Sequence, residues 1–168
     1  MMDMPKSECV ALLENSVVGR LGMVGPDGKP YTIPLKFVWF DQAVYVRAAY
    51  DGRKQDAIAH ARQVCFETDE VDDNFSHYAS VIIEGTLVDI HSETEKRTAL
   101  VALNEKYTRL AGLPSPGPNP ATQGVAIRKI LVEKLSGRKS EPDPASVRRR
   151  PMSTWHDELV AYGREHQG

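Results

Sequence analysis

Two adjacent cations, Arg53 and Lys54, follow Asp51-Gly52 at the opening of a stretch with helical spacing. A helix N-terminus carries partial positive charge, so a cation placed there works against the dipole at a cost of ~0.3–1 kcal/mol. The placement makes sense where an anion binds, through free backbone N–H groups and both side chains. Arg53 would offer a fork to two phosphate oxygens, and Lys54 a compact charge. Spacing alone fits a solvated basic pair equally well. The second feature is the run Tyr31–Lys36, YTIPLK, in which Pro34 interrupts a strong strand pattern. A proline cannot donate to a ladder, so the strand must be an edge or must bulge there. An edge strand can present backbone N–H and C=O groups to the rim of a planar heterocycle, although a proline guarding an edge against aggregation leaves the same trace. A local rule broken inside a strong pattern often marks a functional site.

The surrounding elements must position these residues. Residues 7–15 have the apolar spacing of a short helix, with Val10, Leu12 and Leu13 on one face. Residues 17–24 and 29–40 read as strands joined by the turn Pro26-Asp27-Gly28, which predicts a hairpin. A turn at Asp41-Gln42 leads to a third strand over 43–48, and residues 51–63 follow as a helix with Ala57, Ile58 and Ala61 on one face. Residues 64–68 read as a fourth strand, 69–75 as an exposed acidic loop, and 78–91 as a long fifth strand. Gly85, at the centre of that strand, predicts a bulge or a close backbone approach. Ser92 suits the cap of a helix over 93–110, with Leu100, Leu103 and Tyr107 on its apolar face. A proline-rich loop over 113–120 precedes the last strand, 125–135. Six strands joined mostly by short turns predict a mainly β, α+β fold: a small six-stranded antiparallel β-barrel with flanking helices, which the resemblance given below makes a six-stranded antiparallel split β-barrel. That domain spans 1–139. The remainder, 140–168, reads as an extension with a short helix carrying Trp155, Leu159 and Tyr162.

With 41% hydrophobic and 26% charged residues over 168 positions, the chain has the composition of one globular domain. A net charge of -2 argues against a dedicated nucleic-acid binder, and Arg148-Arg149-Arg150, with Glu141 and Asp143 near it, reads as a solvated linker. Neither a signal peptide nor a run of ~20 apolar residues is present, so no membrane segment is expected. The two cysteines, Cys9 and Cys65, lie far apart in apolar stretches and read as buried, inert thiols of a cytoplasmic protein. The five histidines form no convincing helical pair, and no metal site is expected.

Six segments, taken in order, resemble the pyridoxamine 5′-phosphate oxidase-like family of FMN-binding split barrels, and within it the nitroimidazole-resistance-type branch. They are VVGRLGMVGPDGKPYTIPLKF from Val17, AVYVRAAYDGRKQDAI from Ala43, VCFET from Val64, YASVIIEGTLVDI from Tyr78, KRTALVALNEKY from Lys96, and a last strand ending SGRK at Lys139. The resemblance covers residues 7–139 and implies a homodimer that holds FMN in a groove between subunits. It places Arg53 and Lys54 on the FMN phosphate, and Ile33, Pro34 and Leu35 along the isoalloxazine ring. Lys36 matches a second basic position, Arg47 and Ala48 match the strand end beside the flavin, and Ser80 matches a polar residue that reaches the cofactor.

Two departures bear on the chemistry. Relatives of the nitroimidazole-resistance type commonly have His-Ser where this chain has Arg47-Ala48, so a group titrating near neutrality is replaced by a permanent cation. That arginine would bind phosphate or stabilise a reduced, anionic flavin. Tyr31 stands where the pyridoxamine oxidases have Arg, and their substrate-phosphate cluster near the C-terminus has no counterpart, which argues against vitamin B6 oxidation. The resemblance thus implies an FMN-dependent oxidoreductase acting on a small molecule, with a nicotinamide as a possible reductant. An F420-dependent split-barrel reductase and a non-catalytic flavin-binding protein remain the alternatives, and no catalytic side chain is singled out.

Overall fold

The structure is a computed structural model that describes residues 1–48, 53–72, 77–115, 117, 120–123 and 125–140, with the backbone alone for Ala48, Arg53 and Lys54. The expected C-terminal helix with Trp155 lies outside the described residues, as does most of the linker before it. The elements in order are β1 (Met2–Asp3), α1 (Lys6–Asn15), β2 (Gly19–Val24), β3 (Pro30–Leu35), β4 (Phe37–Phe40), β5 (Ala43–Ala48), α2 (Arg53–His60), β6 (Gln63–Val71), β7 (Tyr78–Asp89), α3 (Glu93–Ala111) and β8 (Ala126–Lys139).

All strand pairs are antiparallel and form one eight-stranded sheet in the order β3-β2-β6-β7-β8-β5-β4, with β1 added to the end of β8. The two outermost strands on that path, β3 and β4, are consecutive in the chain and separated only by Lys36. Laid flat, seven strands at ~4.8 Å spacing would hold these edges roughly 29 Å apart. A one-residue link forces the sheet to curl, and the result is the split barrel expected from the sequence.

Among the described residues the strand count is eight rather than six, for two local reasons. The single strand expected over 29–40 breaks at Lys36 into β3 and β4, and Met2–Asp3 pairs with Arg138 and Lys139 of β8. β6 also runs on to Val71, so the acidic residues Asp69 and Glu70 lie on a strand rather than in a loop. The Asp41-Gln42 turn has φ of 47° and 57°, the paired left-handed conformation of a tight hairpin. Gly85 lies at a register shift between β7 and β8, and a Cβ on it would approach the Leu131 carbonyl oxygen to 2.1 Å. Both features expected of that glycine are therefore present.

The barrel interior is filled by Leu21, Phe37, Phe66, Ile83, Leu87 and Ile130, with α1 and α2 contributing Leu13 and Ile58 as plugs. A second cluster lies between α3 and the outer face of β4, β5 and β8, where Leu100, Leu103 and Tyr107 meet Val38, Tyr45 and Ile127. Of the cysteines, Cys9 is buried as expected but Cys65 is exposed. Alternation along β6 turns Val64 and Phe66 inward and carries Cys65 to the outer face.

Candidate functional site

The break at Lys36 has a side-chain cause. Phe37 donates its N–H to the Tyr107 hydroxyl at 3.0 Å, and that hydroxyl donates to the Val17 carbonyl at 2.5 Å. Tyr107 is buried under α3, and burial pushes its phenol above the ordinary range. The Phe37 amide therefore serves α3 at the point where β3 gives way to β4. Lys36 projects there, with its Nζ 5.0 Å from the centroid of the Tyr107 ring.

β3 is an edge strand with a neighbour on one side only, as Pro34 requires. Pro34 is exposed opposite Arg20, while Ile33 and Leu35 are half-buried against the barrel core. Phe37 pairs with Val46 on β5, so Lys36 and Arg47 emerge at the same end of the β4–β5 hairpin. Arg47 is exposed and opposite Ile127, and Ala48 follows opposite Ala126.

α2 starts at Arg53 near this end of the barrel. Its register is fixed by Ala57 and Ile58, both buried in the core, and by Gln55 in its first turn. The Gln55 Oε1 accepts a 2.7 Å hydrogen bond from Nη2 of Arg128, whose strand position lies opposite Val46, next to Arg47. The start of α2, Lys36, Arg47 and the exit of β3 thus gather at one end of the barrel. How the side chains of Arg53 and Lys54 point lies outside the described residues.

Arg128 itself is only 4% exposed. Its Nε donates to Asp89 Oδ1 at 2.7 Å, and the other Asp89 oxygen meets Arg62 Nη1 at 2.9 Å. The Arg128 hydrogen bond, opposed in part by burial and supported by Arg62, holds the Asp89 carboxyl below the usual carboxylate range. Among the described residues, the remaining guanidinium nitrogen, Nη1, is buried without a hydrogen-bond partner.

Ser80 stands three strands from the exit of β3, across β2 and β6. It is buried on β7, its Oγ accepting from the Tyr78 hydroxyl at 2.9 Å, and it pairs with Arg138 near the far end of β8. Arg47 pairs with Ile127 near the start of that strand, roughly 35 Å away along β8 at ~3.3 Å per residue, whereas the row Ile82–Glu67–Arg20–Pro34 sets β7 three strand spacings, roughly 14 Å, from β3. Beside Ser80 lies a cavity of about 330 Å³ lined by Met2, Val71, His77, Tyr78, Ala79 and Lys139, among others. Its lining is mostly apolar.

The sequence reading missed Gln55, Tyr107 as a backbone anchor, and Arg128. For Arg128 a signal exists: Ala126, Arg128 and Ile130 alternate on the inward face of β8, where a charge is out of pattern. Chemically, the assembled end offers cations and helix N–H groups to an anion, and a strand edge beside them to a flat ring.

Comparison with known proteins gives three findings. None of the curated proteins matches the chain. Among solved structures, a candidate 5-nitroimidazole antibiotic resistance protein from Bacteroides thetaiotaomicron is similar, with a TM-score of 0.67 at 20% identity over 82% of this chain and 86% of that one. An FAD binding protein from Mycobacterium smegmatis gives 0.62 at 24% identity, covering 82% and 97%. An F420 reductase gives 0.55 at 22% identity, covering 74% and 93%. At these identities the structures speak for the fold. The sequence profile described as pyridoxamine 5′-phosphate oxidase matches residues 5–139, and on that match, over most of its length, the chain belongs to the pyridoxamine 5′-phosphate oxidase family.

Proposed function

We propose that the protein binds a phosphate-bearing flavin, FMN, at the interface of a homodimer and uses it as an oxidoreductase. The observation that carries this reading is the juxtaposition of Lys36, Arg47 and the start of α2 beside the β3 edge. The buried Arg128 Nη1 without an acceptor, against the first turn of α2, fits a phosphate arriving there. Arg53 and Lys54 would hold the phosphate with the helix N–H groups. Ile33, Pro34 and Leu35 would offer backbone and apolar contacts to the ring, with Lys36 and Arg47 at its margin and Ala48 beside it.

In the proposed homodimer Ser80 would reach the flavin from a second copy whose Ser80 end faces the cation cluster. A bound flavin supplies hydride and electron-pair transfer, and the protein supplies binding, orientation and field. The Arg47 guanidinium would orient an anionic substrate or the ring edge.

The printed names of the similar structures point to FAD and F420 as well, and the decisive experiment separates all three. The purified protein is examined by absorption, and its released cofactor identified by mass. Bound FMN supports the reading, FAD or F420 corrects the cofactor, and a protein that takes up none of the three overturns it. In the Arg53→Ala/Lys54→Ala double variant, loss of two charge-assisted contacts should weaken FMN binding roughly a hundredfold or more while the fold is retained. Retention of the flavin by that variant would move the phosphate elsewhere.

A further inference from the structure

Arg128 occupies an inward-facing position on β8 where its neighbours in alternation, Ala126 and Ile130, are buried and apolar. Two of its guanidinium nitrogens are committed: Nε to Asp89 and Nη2 to Gln55. Those two bonds suffice to tie α2 to the barrel, yet the third nitrogen remains buried without an acceptor. Asp89 also meets the exposed Arg62, so the carboxylate beside Arg128 is shared. An orphaned buried donor is costly unless an acceptor completes it. Through Gln55 this guanidinium lies against the first turn of an eight-residue helix, whose own free N–H groups favour an anion.

We infer that Arg128 is a specificity residue that reads the phosphate of the bound ligand, donating its free Nη1–H to a phosphate oxygen at the start of α2. The inference rests on the phosphate-bearing flavin reading above and deepens it. The anion needs one oxygen directed at Nη1, with the remaining oxygens left to the helix N–H groups and the cations at residues 53 and 54. Asp89 and Gln55 then act as positioning residues, because they fix the plane of the guanidinium. A ligand with the same ring but no phosphate leaves Nη1 unsatisfied and gains nothing from Arg128. Arg128 should therefore separate FMN from riboflavin rather than strengthen flavin binding in general.

The test is a titration of flavin-free protein with FMN and with riboflavin, followed by flavin fluorescence, alongside calorimetry with inorganic phosphate alone. In Arg128→Gln, FMN affinity should fall roughly tenfold or more, as for loss of one charge-assisted hydrogen bond. Riboflavin affinity should stay within about twofold, on the same principle that an absent contact cannot be lost. Arg128→Lys keeps a cation near Asp89 but lacks the fork, and should lose part of the discrimination between the two ligands. If Arg128→Gln does not fold, Arg128→Lys decides: discrimination equal to that of the unaltered protein overturns the inference. Equal losses for FMN and riboflavin in Arg128→Gln would reduce Arg128 to a tie for α2 and also overturn it. An unaltered protein that binds neither flavin fails the reading above. In that case the phosphate calorimetry still judges Arg128, since binding that is unchanged or absent with and without the Arg128→Gln change overturns the inference on its own.

Discussion

Lys106 shows how far a single side chain can depart from its ordinary chemistry in this barrel. It projects from α3 into a buried position, donates to the Leu13 carbonyl at 2.8 Å, and holds its Nζ 3.5 Å from the centroid of the Phe37 ring. Burial, assisted by the charge of Arg109 and opposed by Glu14, pushes its amine down to about 7. In an unfolded chain the same amine titrates near 10.4. Between those values the unfolded state binds more protons than the folded one, so stability contributed through Lys106 rises with pH from about 7 toward 10. The slope approaches about 1.4 kcal/mol per pH unit, the value for one proton. Denaturant unfolding at pH 7, 8 and 9 should show this rise in the unaltered protein and a flatter profile in Lys106→Met. Parallel profiles would mean that the amine is not titrating in this range. None of this is legible in the sequence, where Lys106 stands in the polar run Asn104-Glu105-Lys106. Tyr107 was legible as part of the apolar face of α3, but its bonds to Phe37 and Val17 join segments far apart in the chain, which periodicity does not encode. Arg128 lies between these cases, since alternation fixes its direction and tertiary contact alone reveals its free nitrogen.

At the scale of elements, strand periodicity and turn chemistry carried most of the information. The edge position of β3 follows from Pro34, and the tight β4–β5 hairpin from its two-residue connection. The split of one expected strand into β3 and β4 was not legible, because its cause is the Tyr107 hydroxyl reached through the fold rather than a breaker in the strand itself. Gly85 was read from its place in an alternating run, and the structure supplies the reason a side chain is not tolerated. A Cβ there would stand 2.1 Å from a backbone oxygen of Leu131 and 3.1 Å from the Ile130 side chain. The oxygen belongs to the β7–β8 ladder and cannot rotate away. Gly85→Ala should therefore force the bulge open, with a loss of about 3 kcal/mol, the upper end of the usual overpacking cost. The drop would appear as a lower denaturant midpoint at unchanged slope. A variant with the midpoint of the unaltered protein would show that the two strands separate there without penalty.

For the whole molecule, the curled sheet decides which candidate residues can act together. Closure through Lys36 brings the β3 edge, the end of β5 and the start of α2 to one end, with Ser80 three strands from the β3 exit across β2 and β6. Sequence resemblance places all these residues on one cofactor between two subunits without saying which subunit supplies Ser80. If each site takes its cations from one subunit and Ser80 from the other, defects in the two groups should complement. Homodimers of Arg53→Ala/Lys54→Ala, and homodimers of Ser80→Leu, each carry the defect in both of their sites. A mixed dimer instead collects both defects in one site and leaves the other with unaltered residues throughout. Co-expression with two affinity tags isolates that mixed species, and its flavin content can be read from absorbance per dimer. One flavin per mixed dimer, with little in either parental dimer, is the expected result, and circular dichroism should show all three species folded. Mixed dimers as empty as their parents would mean that both groups are drawn from the same chain. Such a result would overturn the sharing of the site between subunits.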